Sequence, residues 1–222
     1  MKNYKIILAR YNENIKWADD FKNIIVYNKG EQLQTKHELV NLVNYGHEAH
    51  TYLTYIVNNY EKLADIICFF QANPHIEKFL NCKENQITEE KIIEKFINIK
   101  KYSSENFEER PLNFHLTQNF IDDNLNYRIF EYPSGNKLSL YKTNALTWFK
   151  GKINNQIEPS NLKMYIGANF SVRKEAILSR SLNFYRDLLM DFHFKHCELA
   201  HFCERSWYYI FNLDKFEFEY ED

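Results

Sequence analysis

The feature that most constrains this chain is the spacing of short apolar runs in its first 70 residues. Tyr4 to Ala9 (YKIILA), Ile24 to Tyr27 (IIVY) and Ile66 to Phe70 (IICFF) are rich in β-branched or aromatic residues. Each stops at a polar or turn-forming segment, as buried strands do. Between the second and third, residues 47–63 carry Leu53, Ile56, Val57 and Tyr60 at i, i+3, i+4 and i+7. That stripe predicts an amphipathic helix. A shorter helical stretch around Ile15 to Phe21 links the first two runs. Strand, helix, strand, helix, strand over so short a length predicts a parallel sheet with right-handed crossovers. The expected fold class is α/β, a mostly parallel central sheet flanked by helices.

The rest of the chain is less regular. Thr88 is a natural N-cap for a helix carrying Ile92, Ile93, Phe96 and Ile97. Residues 101–126 are polar and broken and read as loop with short helical pieces. Residues 127–130 and 137–141 flank Pro133-Ser134-Gly135-Asn136, a turn signal that predicts a hairpin. Met164 to Val172 reads as one strand. Two helices follow, one capped by Ser181 and burying Tyr185, Leu188, Leu189 and Phe192, the other from Cys197 to Phe211. No repeat or linker divides residues 1–222, which predicts a single domain.

Composition removes several function classes. A formal net charge of −2 lacks the basic footprint of a dedicated nucleic-acid binder. Only 5 glycines in 222 residues leave little for glycine-rich phosphate loops. The 45% hydrophobic and 17% aromatic content excludes disorder. Cys68, Cys82, Cys197 and Cys203 form no CxxC pair, which suits a reduced, intracellular protein. The apolar run near the N-terminus is too short for a signal peptide or a transmembrane segment. A cytoplasmic location is the expectation.

In an open parallel sheet, ligands lie beyond the carboxyl ends of the strands. Here those ends read Ala9-Arg10-Tyr11-Asn12-Glu13, Tyr27-Asn28-Lys29-Gly30 and Gln71-Ala72-Asn73-Pro74-His75. A guanidinium, an ammonium, a carboxylate and several amides therefore meet at one edge. Arg10 could hold a diphosphate by a bidentate pair, and Tyr11 could stack on a base. His47 and His50 sit at i, i+3 rather than the i, i+4 of a zinc-peptidase helix. A metal-dependent hydrolase is therefore the weakest reading. The amides at the start of the 47–63 helix could face a phosphate, or Asn44, Glu48 and His50 could serve as helix-capping residues.

The segments ARYNENIKW, VYNKG, NYGHEAHTYLTYIVNNYEKLADIICFFQANP, NFSVRKEAI and ERSWYYIF resemble, as a set, a family of short GT-A-type glycosyltransferase-like proteins catalogued as a domain of unknown function. The resemblance implies a single GT-A-like (Rossmann-like) domain that transfers sugar from a nucleotide-sugar donor, most simply a UDP-sugar, to a glycan or other hydroxyl acceptor. It places Ala9, Arg10, Tyr11 and Glu13 at the nucleoside, with Lys29, Gln71, Asn73 and Arg173 completing the donor site. The third strand end falls where such enzymes carry D-x-D on Mn or Mg. Gln71 and Asn73 stand there instead, so a metal would need His75 or Glu77. Two routes follow: inverting, metal-independent transfer with Glu204 as catalytic base, or a non-catalytic module that binds nucleotide-sugar or glycan.

Overall fold

A computed structural model describes residues 3–72, 80, 82–83, 86–111, 145–156, 161–192 and 197–216. The hairpin expected around Pro133 to Asn136 lies outside them, as do Asn73, His75 and Glu77.

The three apolar runs are strands. β1 (Tyr4–Arg10), β2 (Ile24–Asn28) and β4 (Ile66–Gln71) join β3 (Glu38–Asn41) and β7 (Phe170–Arg173) in a five-stranded sheet of order β3-β2-β1-β4-β7. The β1–β2, β1–β4 and β2–β3 pairs are parallel, and β7 (Phe170–Arg173) runs antiparallel to β4 at the edge. Successive side chains on a strand face opposite ways. On β1, Ile6 and Leu8 enter one core while Ile7 enters the other. Both faces are covered, so the strands read as continuous apolar runs.

One face packs against α1 (His47–Asn59), α5 (Leu182–Met190) and α6 (Cys197–Ile210). The other is closed by a 3-10 turn at Lys16–Ala18 with Trp17 and Phe21. A helix joins it there, made of α2 (Glu89–Ile92) and a π-type turn over Ile93–Ile97. Thr88 caps α2, its Oγ1 accepting from Lys91 N at 3.3 Å, and Ser181 caps α5 in the same way from Phe184 N at 3.2 Å.

The aromatic content fills the core more than it decorates the surface. Tyr52 of α1 meets Phe69 of β4 at 4.7 Å between ring centroids, and Phe69 meets Phe170 of β7 at 5.3 Å. Trp207 of α6 lies 5.8 Å from Tyr52. This cluster locks α6 to α1 across the sheet, a contact the candidate site depends on.

Several expectations need correction. β3 (Glu38–Asn41) was not anticipated, because it is a half-exposed edge with no apolar run. The segment read as loop contains β5 (Phe107–Pro111), which pairs with β6 (Asn161–Tyr165) in a separate two-stranded sheet. Met164 to Val172 is therefore two strands rather than one. Gly167 and Ala168 take φ of 62° and 53° between them, and the chain crosses from one sheet to the other there. Ala168 is held by its carbonyl, which accepts from the Tyr52 hydroxyl at 3.1 Å. The first long helix stops at Asn59 and finishes as a 3-10 turn over Tyr60–Lys62. Beyond these elements the described residues include α3 (Ala145–Lys152), α4 (Lys174–Leu178) and α7 (Leu213–Phe216). No helix among the described residues is long and apolar enough to cross a membrane.

Candidate functional site

Register sets the site. Ala9 of β1 stands level with Tyr27 of β2 and with Gln71 of β4, so three strands end on one line. The chain leaves β1 toward β2 on one side, while β4 lies on the other. That reversal opens a crevice beyond the carboxyl ends. A cavity of about 420 Å³ occupies it. Ala9, Arg10, Tyr11 and Glu13 line it from the end of β1, Lys29 from β2 and Gln71 from β4. Asn44, His47 and Glu48 complete it from the entry to α1. A larger cavity, about 660 Å³, lies beside β7 along residues 94–107, but it gathers no strand ends.

Six of the eight expected donor-site residues thus meet in one place: Ala9, Arg10, Tyr11, Glu13, Lys29 and Gln71. Asn73 lies outside the described residues. Arg173 does not join them. It pairs with Ile66 at the start of β4, the opposite edge of the sheet, where its Nη2 donates to Ile99 O at 3.1 Å and Lys100 O at 2.9 Å. Because β7 is antiparallel, its last residue falls where the parallel strands begin.

Arg10 is only 9% exposed, and its hydrogens go largely to the chain itself. Nε donates to Glu13 O at 2.9 Å. Nη1 donates to Asn28 Oδ1 at 2.5 Å, Tyr11 O at 3.0 Å and Glu31 O at 3.3 Å. The guanidinium knits the loops after β1 and β2 together and lends the crevice charge, and it does not present the open fork expected from sequence. Glu13 is also engaged, its Oε2 accepting from Tyr11 N at 2.7 Å. The loops approach so closely that a Cβ on Gly30 would sit 1.8 Å from Tyr11 O. Tyr11 itself is 50% exposed at the rim, free in position to stack on a planar ligand.

Lys29 is buried, and its Nζ donates to Tyr45 O at 2.6 Å and also to His47 O. Burial pushes its ammonium down to about 7, with the charge of Glu48 pulling the other way. Those two bonds fix an unusual turn. Gly46 and His47 take φ of 55° and 46° in succession, and a left-handed histidine costs about 1–2 kcal/mol. Gly46 is the N-cap of α1, and no side chain bonds there, contrary to the capping roles expected of Asn44, Glu48 and His50. The first turn of α1 borders the crevice through His47 and Glu48, and Glu48 accepts from its own backbone N–H.

Sequence reasoning missed the importance of Glu48. The rings of His47 and His201 lie 6.4 Å apart, and those of Tyr52 and Trp207 lie 5.8 Å apart. Both contacts ascend together, so α1 and α6 run side by side in one direction. Glu48 follows His47 on α1, and Glu204 lies between His201 and Trp207 on α6. The Glu48 carboxyl lies above the ordinary range, mainly through burial and then through repulsion by Glu204, while His47 and His201 oppose the rise. Glu204 does not line the crevice. Its Oε2 lies 3.3 Å from His201 Nδ1 and 3.8 Å from Arg205 Nη1. A contact between helices 150 residues apart leaves no local signal that sequence could carry.

Gln71 is fixed through its backbone N, which donates to Asn169 Oδ1 at 2.9 Å. Asn169 is fully buried, and its Nδ2 has no hydrogen-bond partner among the described residues. The donor set does not fit a hard divalent cation, which wants several carboxylate oxygens. Gln71 is an amide and Glu13 is tied to Tyr11. Among the described residues no three His, Cys, Asp or Glu converge to hold a metal.

No curated protein and no solved structure matches this chain. The sequence profile of one family does match, over residues 6–221, and so takes in the sheet, the crevice and both helices that carry the carboxylates. The chain belongs to the family described as Protein of unknown function (DUF3431).

Proposed function

We propose that this chain is a GT-A-like glycosyltransferase that binds a nucleoside diphosphate sugar in the crevice and transfers the sugar, with inversion, to a hydroxyl acceptor. One observation carries the reading: an exposed aromatic ring, two cations and the carboxylates of Glu13 and Glu48 meet at the point where the strand order reverses. Tyr11 stacks on the base. Lys29, Arg10 and the first turn of α1 offset the diphosphate charge, so no step is assigned to a metal. The acceptor oxygen attacks the anomeric carbon as the bond to the diphosphate breaks. The acceptor proton passes to a carboxylate that lines the crevice, Glu48 rather than the Glu204 expected from sequence, which lies outside the cavity lining. A positioned base of this kind is worth about 100-fold or more.

Calorimetry with UDP and GDP in excess chelator tests donor binding, followed by turnover assays with the corresponding sugars. The expected result is binding that survives the chelator and weakens at least about 10-fold in Lys29→Met, the loss of one charge-assisted contact. Absence of binding by either nucleotide refutes the reading. Binding without transfer would mark the second reading, a nucleotide-sugar-binding module. What favours that one is Arg10, whose hydrogens serve the protein's own loops.

A further inference from the structure

We propose that the larger cavity, along residues 94–107, is a second ligand site that takes a neutral oligosaccharide. It stands apart from the donor crevice, and only its occupant's role as acceptor rests on the donor reading above.

Buried polar side chains build its wall. Ser103, Ser104 and Asn106 line the cavity and are each at least nine-tenths buried. Ser104 Oγ accepts from Ser171 N at 3.0 Å and donates to Asn106 Oδ1, and Asn106 Nδ2 donates to Asn169 O. Beyond those bonds Asn106 keeps one amide hydrogen and one carbonyl lone pair for a ligand. Glu94, Lys95 and Phe96 line the cavity from the π-type turn, which Asn98 N closes on Ile93 O at 2.9 Å. Turns of this kind are rare and recur at functional sites. Arg173, expected at the donor site, secures this segment instead. Its Nη2 holds the carbonyls of Ile99 and Lys100, and its backbone N donates to Tyr102 O at 2.9 Å.

The lining selects the chemistry of the ligand. At about 660 Å³ the cavity has the size of a small-molecule site. An apolar ligand would strand the buried serine and asparagine groups. A strong anion would meet the exposed carboxylates of Glu94 and Glu105 as well as the ammonium groups of Lys95, Lys100 and Lys101. A sugar hydroxyl both donates and accepts, so it suits a lining in which donors and acceptors are mixed. The half-buried ring of Phe107 supplies an apolar surface for its carbons. Asn169 links the two sites. Its Oδ1 accepts from Gln71 N at 2.9 Å, and its carbonyl takes the Asn106 amide. Ser103 bridges Val172, so residues 103–106 run beside β7. Gln71, Asn169 and Asn106 therefore stand on three neighbouring segments, two strand spacings or about 10 Å apart in all. An oligosaccharide anchored at Asn106 spans that gap and brings a hydroxyl to the donor crevice.

Calorimetry of the wild type with maltohexaose, cellohexaose, mannohexaose and chitohexaose, each up to about 10 mM, tests the site, with a heparin hexasaccharide as the anionic control. At least one neutral sugar should bind, with its affinity unchanged in about 0.5 M salt. Hydrogen–deuterium exchange with that sugar should show new protection within residues 94–107. Asn106→Leu should weaken binding at least about 10-fold, through the buried hydrogen bonds it removes. If that variant does not fold, the exchange map of the wild type decides. Four results overturn the site: no neutral sugar bound, heparin alone bound and released by salt, protection confined to residues 9–13, or undiminished binding by a folded Asn106→Leu. UDP binding with no neutral sugar bound overturns this site and leaves the donor reading standing. Sugar bound at residues 94–107 with neither UDP nor GDP bound overturns the donor reading alone.

Discussion

Replacing Arg10 by methionine keeps the aliphatic stem and removes the four hydrogen bonds that tie together the loops after β1 and β2. Three of the acceptors, the carbonyl oxygens of Tyr11, Glu13 and Glu31, lie at the rim, where water can replace the guanidinium. Each such loss costs about 0.5–1 kcal/mol. Asn28 is 2% exposed, and stripping its Oδ1 of a charged donor costs more, about 2 kcal/mol. Among the described residues, only a long bond from Gly30 N at 3.4 Å would remain to that oxygen. The whole comes to about 4 kcal/mol, which for a chain of this size lowers Tm by about 8–16 °C. Differential scanning calorimetry of Arg10→Met against the wild type, both without nucleotide, reads this directly. A fall of less than about 3 °C, accompanied by a large loss of UDP affinity, would refute the reasoning. The guanidinium would then serve the ligand and not the loops.

Gly46→Ala should destabilise by about 2–4 kcal/mol. The left-handed φ costs about 1 kcal/mol and the overpacking about 1–3 kcal/mol, because a Cβ would lie 2.0 Å from the buried ring of Phe192. Urea unfolding checks this, and a loss below about 1 kcal/mol would mean that the turn into α1 adapts easily. Lys29 should make stability rise with pH above about 7. Its folded-state value lies below that of the unfolded chain, so between the two the unfolded state holds the extra proton. Urea titrations at a series of pH values should show that rise in the wild type and a flatter profile in Lys29→Met. Donor turnover should persist in excess chelator because Gln71 supplies no charge to a cation. Complete loss, restored by Mn, would show that other carboxylates supply the missing ligands.

Sequence by itself determined the strands whose two faces are both buried. β1, β2 and β4 are apolar throughout because every side chain meets a core, and that demand is written locally at each position. It likewise determined the helix caps Thr88 and Ser181, whose hydroxyls act within three residues. Ala9, Arg10, Tyr11, Glu13, Lys29 and Gln71 were legible as a group, because the residues after parallel strands must gather at one edge.

Tertiary structure decided the rest. β3 and β5 owe their pairing to backbone bonds with partners elsewhere, which leave little trace in their own side chains. Arg173 carries the charge expected of a donor site but stands at the far edge, since direction within the sheet is a property of the pair β4–β7 and not of either segment. Arg10 was legible as a cation, while its engagement with Asn28 depends on how two loops close over Gly30. The approach of α6 to α1, which carries Glu48 to the crevice, follows from Tyr52 packing on Trp207. A hydrophobic pattern reports whether a residue is buried. Which residue it is buried against depends on the fold as a whole, and at this crevice that second fact sets the chemistry.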